Sequence, residues 1–245
     1  MNVHRPATIA MIVCLASSMI STSLVGQQAA IASAPPQDQS DQLLEKALQS
    51  IEAGNPQTAI DQYLDPLLAD FEKMVRLDGP HLYSANTKGE VMMYAALNPA
   101  KDSAIVGGAW SAALHLKGYA LIDLERYDDA KATLQHGLEI APMNPSLWNE
   151  LGAILQLEKN WPEAASAYAA AESGARLFAD LQEREVNRFL TRALRGQGYV
   201  LIETGELGKA EKLYRRCLKL DPQDDVAKRE LAYIATLKAE KKKRR

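Results

Sequence analysis

The stretch Gly118-Tyr119-Ala120-Leu121-Ile122 returns almost unchanged as Gly198-Tyr199-Val200-Leu201-Ile202. Gly152 stands between them, 34 residues after Gly118 and 46 before Gly198, which is the same period plus a 12-residue insertion. Aligned on these glycines, the three segments agree column by column. Leu114, Trp148 and Leu194 fall together, as do Leu121, Leu155 and Leu201, and then Tyr127, Trp161 and Leu207. Further along, Ala130, Ala164 and Ala210 coincide, then Leu134, Tyr168 and Tyr214, then Gly137, Ala171 and Cys217. A fixed lag of this kind marks a chain built from stacked supersecondary units, each too small to bury its own apolar face.

Each unit reads as two helices. In the first, Leu114, Gly118, Leu121 and Ile122 recur at helical spacing, Glu125-Arg126 make a turn, and Ala130, Leu134 and Leu138 continue the stripe. Gly118 facing Ala130 allows two backbones to approach, with Leu121 and Leu134 interdigitating around them. Pro142 and Pro222 stop the second helices, because proline lacks the amide donor and clashes with the preceding turn. Asn144-Pro145 and Asp221-Pro222 supply turns between units. A divergent unit is expected upstream, where Ala47, Gly54, Ala59 and Tyr63 keep the register and Pro66 interrupts the second helix. Residues 78–90 read as a loop and Glu90 to Leu97 as a short helix. Arg176 occupies the place of a closing proline, so the second helix of the middle unit is expected to run on into the insertion at 177–190.

This pattern resembles the tetratricopeptide repeat (TPR) family, over about 111–176 and 191–225. The resemblance implies an all-α fold, a right-handed superhelical stack of helix-turn-helix units (an α-solenoid) with a terminal capping helix. It also implies that the first helices line a concave groove that holds a protein or peptide. Mapped onto this chain, the groove positions are Ala112, His115, Tyr119 and Ile122; Ser146, Asn149, Ala153 and Gln156; and Arg192, Arg195, Tyr199 and Ile202. The candidate binding residues are His115, Tyr119, Asn149, Gln156, Arg192, Arg195 and Tyr199: an amide bonds peptide groups in both directions, and arginines fork onto carboxylates. The competing assignment has the tyrosines packing between units and the arginines pairing with Glu183 or Glu185. The family's clamp for a terminal carboxylate is not reproduced, since Glu150 and Gly196 stand where it has an amide and a cation.

The expected layout is a signal peptide at 1–32, a linker at 33–40, a divergent helical region at 41–110, three repeat units at 111–225, a capping helix at 226–237 and a basic tail at 238–245. Residues 7–25 carry no charge, and Ala30-Ile31-Ala32 offers the small side chains that a signal peptidase accepts. The alternative is an uncleaved membrane anchor. Cleavage would remove Cys14 and leave Cys217 alone, which excludes an intramolecular disulfide or a CxxC site. Cys217 lies on the small-residue stripe and reads as a packing thiol. The four histidines form no metal-ligand pattern, and no HExxH, GxSxG, phosphate-loop or GxGxxG string occurs. The sequence is therefore read as non-enzymatic, with no cofactor or metal.

Hydrophobic residues make up 47% of the chain, enough for a sizeable core, and the net charge of -3 argues against a nucleic-acid partner. Charge is uneven: residues 33–190 hold 12 basic and 23 acidic side chains, and residues 191–245 hold 15 and 8. Membrane contact is expected only through the basic tail. The reading from sequence is a periplasmic or secreted adaptor or scaffold of the cell envelope that binds a protein or peptide of unknown identity. The alternative is a self-associating structural protein of the envelope, joined by its charge asymmetry.

Overall fold

A computed structural model describes residues 34–75, 79–97, 103–178 and 181–243. The expected signal peptide at 1–32 and the last two residues of the basic tail lie outside them.

The chain folds as successive helical hairpins. The first joins α1 (Gln37–Glu52) to a second arm made of α2 (Pro56–Ala59), a wide π turn (Ile60–Leu64) and α3 (Asp65–Glu72). The repeats follow as α5 (Ala109–Asp123) with α6 (Tyr127–Ile140), α7 (Pro145–Leu157) with α8 (Trp161–Ala175), and α9 (Glu183–Glu203) with α10 (Leu207–Leu220). Helix α11 (Asp225–Lys243) closes the stack. Helices α1, α5, α7, α9 and α11 lie side by side in one layer, and α6, α8 and α10 each pack on their own first helix.

The helix-to-helix turns repeat one conformation. Gly54, Glu125, Lys159 and Gly205, at the same register in four units, all have positive φ, between 57° and 80°. This left-handed residue ends the first helix and aims the chain back along it. The agreement at Gly54 brings the divergent first unit into the same rhythm.

Several expectations change in detail. Pro66 does interrupt the α-helical ladder, but as a wide turn and not as an end: Asp65 N–H bonds to the Ile60 carbonyl just before it, the register shifts and the helix continues. The space over Gly118 is filled by Leu134, not Ala130; likewise Tyr168 covers Gly152 and Tyr214 covers Gly198. The second helix of the middle unit stops at Ala175, and a short 3-10 turn (Arg176–Phe178) follows. The insertion instead lengthens the next helix, because α9 begins at Glu183, about two turns before the repeat register requires. Finally, α11 runs through the expected tail to Lys243, and α1 begins at Gln37, inside the expected linker.

The larger difference is at 78–90, expected as a loop. Here β1 (His81–Ala85) pairs in parallel with β2 (Ser103–Gly107), His81 opposite Ser103 and Ala85 opposite Gly107. Helix α4 (Lys88–Leu97) makes the crossover that a parallel pair requires. This small βαβ insert is fastened along the edge of the stack. Ser84 Oγ and Ser111 Oγ lie 3.0 Å apart, both side chains fully buried, at the start of α5. Tyr94 OH accepts from Met143 N–H (3.2 Å) in the turn between α6 and α7. Thr87 Oγ1 donates to the Leu177 carbonyl (3.2 Å) after α8. Gly89 is pressed against that carbonyl and Gly108 against the Asn86 side chain, so neither position has room for a Cβ.

Candidate functional site

The first helices supply the layer on which the expected binding residues were placed. On α5, α7 and α9 the register puts His115, Asn149 and Arg195 in one column and Tyr119, Ala153 and Tyr199 in another. The structure brings most of these residues together, but several are engaged with their own chain.

The centre is a buried ionic group that spans three helices. Glu150 on α7 is 2% exposed. Its Oε2 lies 2.7 Å from Arg192 Nη2 on α9, and its Oε1 3.3 Å from His115 Nε2 on α5. Burial pushes the Glu150 carboxyl up, but Arg192 and His115 together outweigh it and hold the group below the usual carboxylate range. A carboxylate stripped of water needs both cationic and hydrogen-bonding partners, and here both are present. The group therefore ties α5, α7 and α9 together.

Arg195 is likewise occupied, and again by a partner other than Glu183 or Glu185. Its Nη1 lies 3.2 Å from Asp224 Oδ1, which also accepts from Ala227 N–H and so caps the first turn of α11. Both groove arginines thus hold neighbouring repeats, and reversing the charge at Arg192 tests folding before it tests binding. Gln156 accepts from Tyr168 OH (3.0 Å), whose ring fills the space over both Gly152 and Gly196. That ring explains the absence of a cation at position 196: no side chain fits there.

Two kinds of group in the layer are not tied into ion pairs. Asn149 is 1% exposed, yet neither its Nδ2 nor its Oδ1 has a partner. Each unmet amide group costs about 1–3 kcal/mol when buried, so the fold holds Asn149 at an energetic cost. Tyr119 and Tyr199 are half-buried, Tyr199 tilted against Trp161 at 6.3 Å. Burial raises both phenols, and carboxylates raise them further: Asp123, Glu150 and Glu52 around Tyr119, and Glu203 and Glu230 around Tyr199. Of these acids, sequence reasoning missed Glu52 and Glu230 because Glu52 belongs to the divergent unit and Glu230 to the closing helix, outside the three clear repeats. Their position at the ends and faces of first helices was nevertheless readable from the 34-residue register.

Other chemistry is sparse. Cys217 is buried, its Sγ 3.8 Å from the Thr191 carbonyl, and burial pushes the thiol up to about 12, which suits packing and not attack. No group of three or more metal-ligating side chains occurs among the described residues, and none of their helices is long and apolar enough to cross a membrane.

Comparison with known proteins agrees with this geometry. Family models described as tetratricopeptide repeat match residues 115–180 and 191–234. Over those two stretches the chain is similar to tetratricopeptide repeats. Repeats of this family typically scaffold protein–peptide contacts and are generally non-catalytic. Among solved structures, PilF of Pseudomonas aeruginosa is similar with a TM-score of 0.55 and 14% identity, covering 83% of this chain and 70% of that one. MamA (41-end) from Desulfovibrio magneticus RS-1 is similar with a TM-score of 0.53 and 16% identity, covering 84% and 89%. At such identities these likenesses concern the fold alone. The first TPR of Spaghetti (RPAP3), solved bound to an HSP90 peptide, shares 26% identity over 53% of this chain and 95% of its own, with a TM-score of 0.45. No curated protein sequence matches significantly.

Proposed function

We propose that this chain is an exported scaffold of the cell envelope, without catalysis of its own, whose first-helix face holds a segment of another protein. The observation that carries the binding face is Asn149: a buried amide with no partner, on the first helix α7 and within a layer that also carries half-buried Tyr119 and Tyr199. Most buried polar side chains find partners within their own fold, so an unmet donor and acceptor together suit a ligand main chain, which offers one of each. Export rests on the uncharged run at 7–25 followed by Ala30-Ile31-Ala32.

Photo-crosslinking in intact cells tests the face. A photoreactive residue replacing Tyr119 or Tyr199 is expected to trap a discrete partner, while one replacing Ser166 on α8 traps none. Adducts from Ser166 alone, or from no position, would remove the first-helix face from consideration. Sequencing the amino terminus of the recovered protein checks export, with Ser33 expected as the first residue.

A further inference from the structure

We propose that the outward face of α10, continued by the last turns of α11, rests on an anionic lipid surface, so that the last repeat tethers the stack and the first-helix layer stays free. This goes beyond the peptide-binding reading and does not depend on it. The exposed residues of α10 are Gly208, Lys209, Lys212, Arg215, Arg216 and Lys219, so every side chain it turns to solvent is cationic. Lys209, Lys212, Arg216 and Lys219 follow one another at helical spacing with Arg215 beside them, which sets them all on one side of the helix. The leucines of α10 turn the other way, into the core of the last repeat. The end of α11 lies beside the start of α10: Lys238 pairs with Glu211, and Lys238 and Lys241 share an open cleft with Lys209 and Lys212 over Gly205 and Gly208. The lysines expected as a separate tail thus continue a helix and join the cations of α10.

The acids around this face are engaged or turned elsewhere. Glu206 pairs with Lys209, Glu211 with Arg215 and Lys238, and Glu172 of α8 with Arg216 and Arg176. At the other end of α10, Asp221 accepts from Gln223 N–H and Asp225 pairs with Lys228. Glu203 ends α9, in the first-helix layer, and Glu240 stands two residues from both Lys238 and Lys242, across α11 from them. Lys212 and Lys219 make no ion pair among the described residues, so the middle of the stripe meets a ligand uncompensated.

The corresponding faces of the earlier repeats are unlike it. The exposed charges of α6 are Asp128, Asp129 and Glu139, and that of α8 is Glu163. One end of the stack alone is therefore built to meet a polyanion. The chemistry of the face selects a lipid surface: α10 exposes no aromatic ring on which a base could stack, and no apolar side chain to anchor a folded partner. Long, flexible cations without such anchors suit mobile headgroup phosphates, which come to the ammonium and guanidinium groups.

Co-sedimentation of the purified chain with vesicles tests this, using phosphatidylcholine alone and phosphatidylcholine mixed equally with phosphatidylglycerol. Binding is expected to be about a hundredfold tighter to the mixed vesicles and to be lost as salt is added. Residues 7–25 are uncharged, so attachment through them would appear with both vesicles. Lys212→Gln combined with Lys219→Gln should weaken binding to the mixed vesicles about tenfold. Lys46→Gln combined with Lys73→Gln removes the same charge from the first hairpin and should leave binding within about twofold. Equal losses from the two double variants would mean general attraction of cations to the vesicle and would overturn the proposal. Equal binding to the two vesicles, or binding to neither, overturns it as well. Retention of a labelled glutamate peptide or uridine oligonucleotide at an ionic strength that releases the vesicles would give the face to another polyanion and overturn lipid as its occupant. The peptide-binding reading is judged separately, by the crosslinking at Tyr119 and Tyr199.

Discussion

Two glutamates, Glu90 in the βαβ insert and Glu150 in the repeat stack, are both almost completely buried, and the protein treats them in opposite ways. Glu90 is surrounded by neutral donors: it accepts from Asn86 N–H (2.8 Å), Thr87 N–H (3.2 Å) and Tyr94 OH (3.1 Å). Those bonds do not offset the loss of water, so burial holds its carboxyl above the ordinary range. Glu150 meets Arg192 and His115, and its carboxyl is held below that range. The insert is thus fastened by a group that is costly to ionise, and the stack by a group that is costly to neutralise. Equal burial with opposite partners gives opposite responses to pH.

The strongest test removes the cation. Arg192→Ala leaves the Glu150 carboxylate buried with only His115, and should cost about 3 kcal/mol in urea unfolding. A double variant Glu150→Gln, Arg192→Met should recover much of that, because no charge is then left alone. In the parent protein, the contribution of Glu150 is present above the ordinary value of 4.5 and lost as pH falls through its lower folded value. A variant as stable as the parent would show that the pair does not fasten the stack.

A smaller effect, of opposite sign in pH, belongs to the insert. Because Glu90 takes up a proton more readily when folded, its contribution is full below 4.5 and declines as pH rises through the raised folded value. Glu90→Gln should therefore cost about 1 kcal/mol at low pH and remove the decline above it, as read from hydrogen exchange of the β1 and β2 amides at a series of pH values. An unchanged pH slope would contradict this account of the buried carboxyl.

The smallest effect lies in the repeat turns and should be a gain. Lys159 holds φ 57° where two of the four units have glycine. Lys159→Gly should raise stability by about 0.5–1 kcal/mol, because relief of the left-handed strain exceeds the added freedom of the unfolded chain. A loss measured by urea midpoint would show that the side chain matters more than the backbone there.

Much of this contrast could be anticipated on one side only. The repeat register, the turns at Glu125 and Lys159 and the packing role of Cys217 follow from a pattern recurring at a fixed lag, so each unit supports the reading of the others. The insert has no such echo. Leu82 and Tyr83, or Ile105 and Val106, are too few to distinguish a strand from a loop, and their pairing spans more than twenty residues. At the candidate site the sequence placed His115, Asn149, Arg192 and Arg195 on neighbouring first helices. It did not reveal that Glu150 and Asp224 would claim the arginines, because that depends on which side chains face each other across a seam.

By itself the sequence determined the rhythm: small residues every 34 positions let one helix lie close to the next, and that spacing is a property of each unit taken alone. Only the tertiary structure decided which charges are consumed and which face outward, because an ion pair between α7 and α9 joins residues brought together by stacking. Burial then set the energetic sign of each carboxylate, through the water it lost and the partners it met.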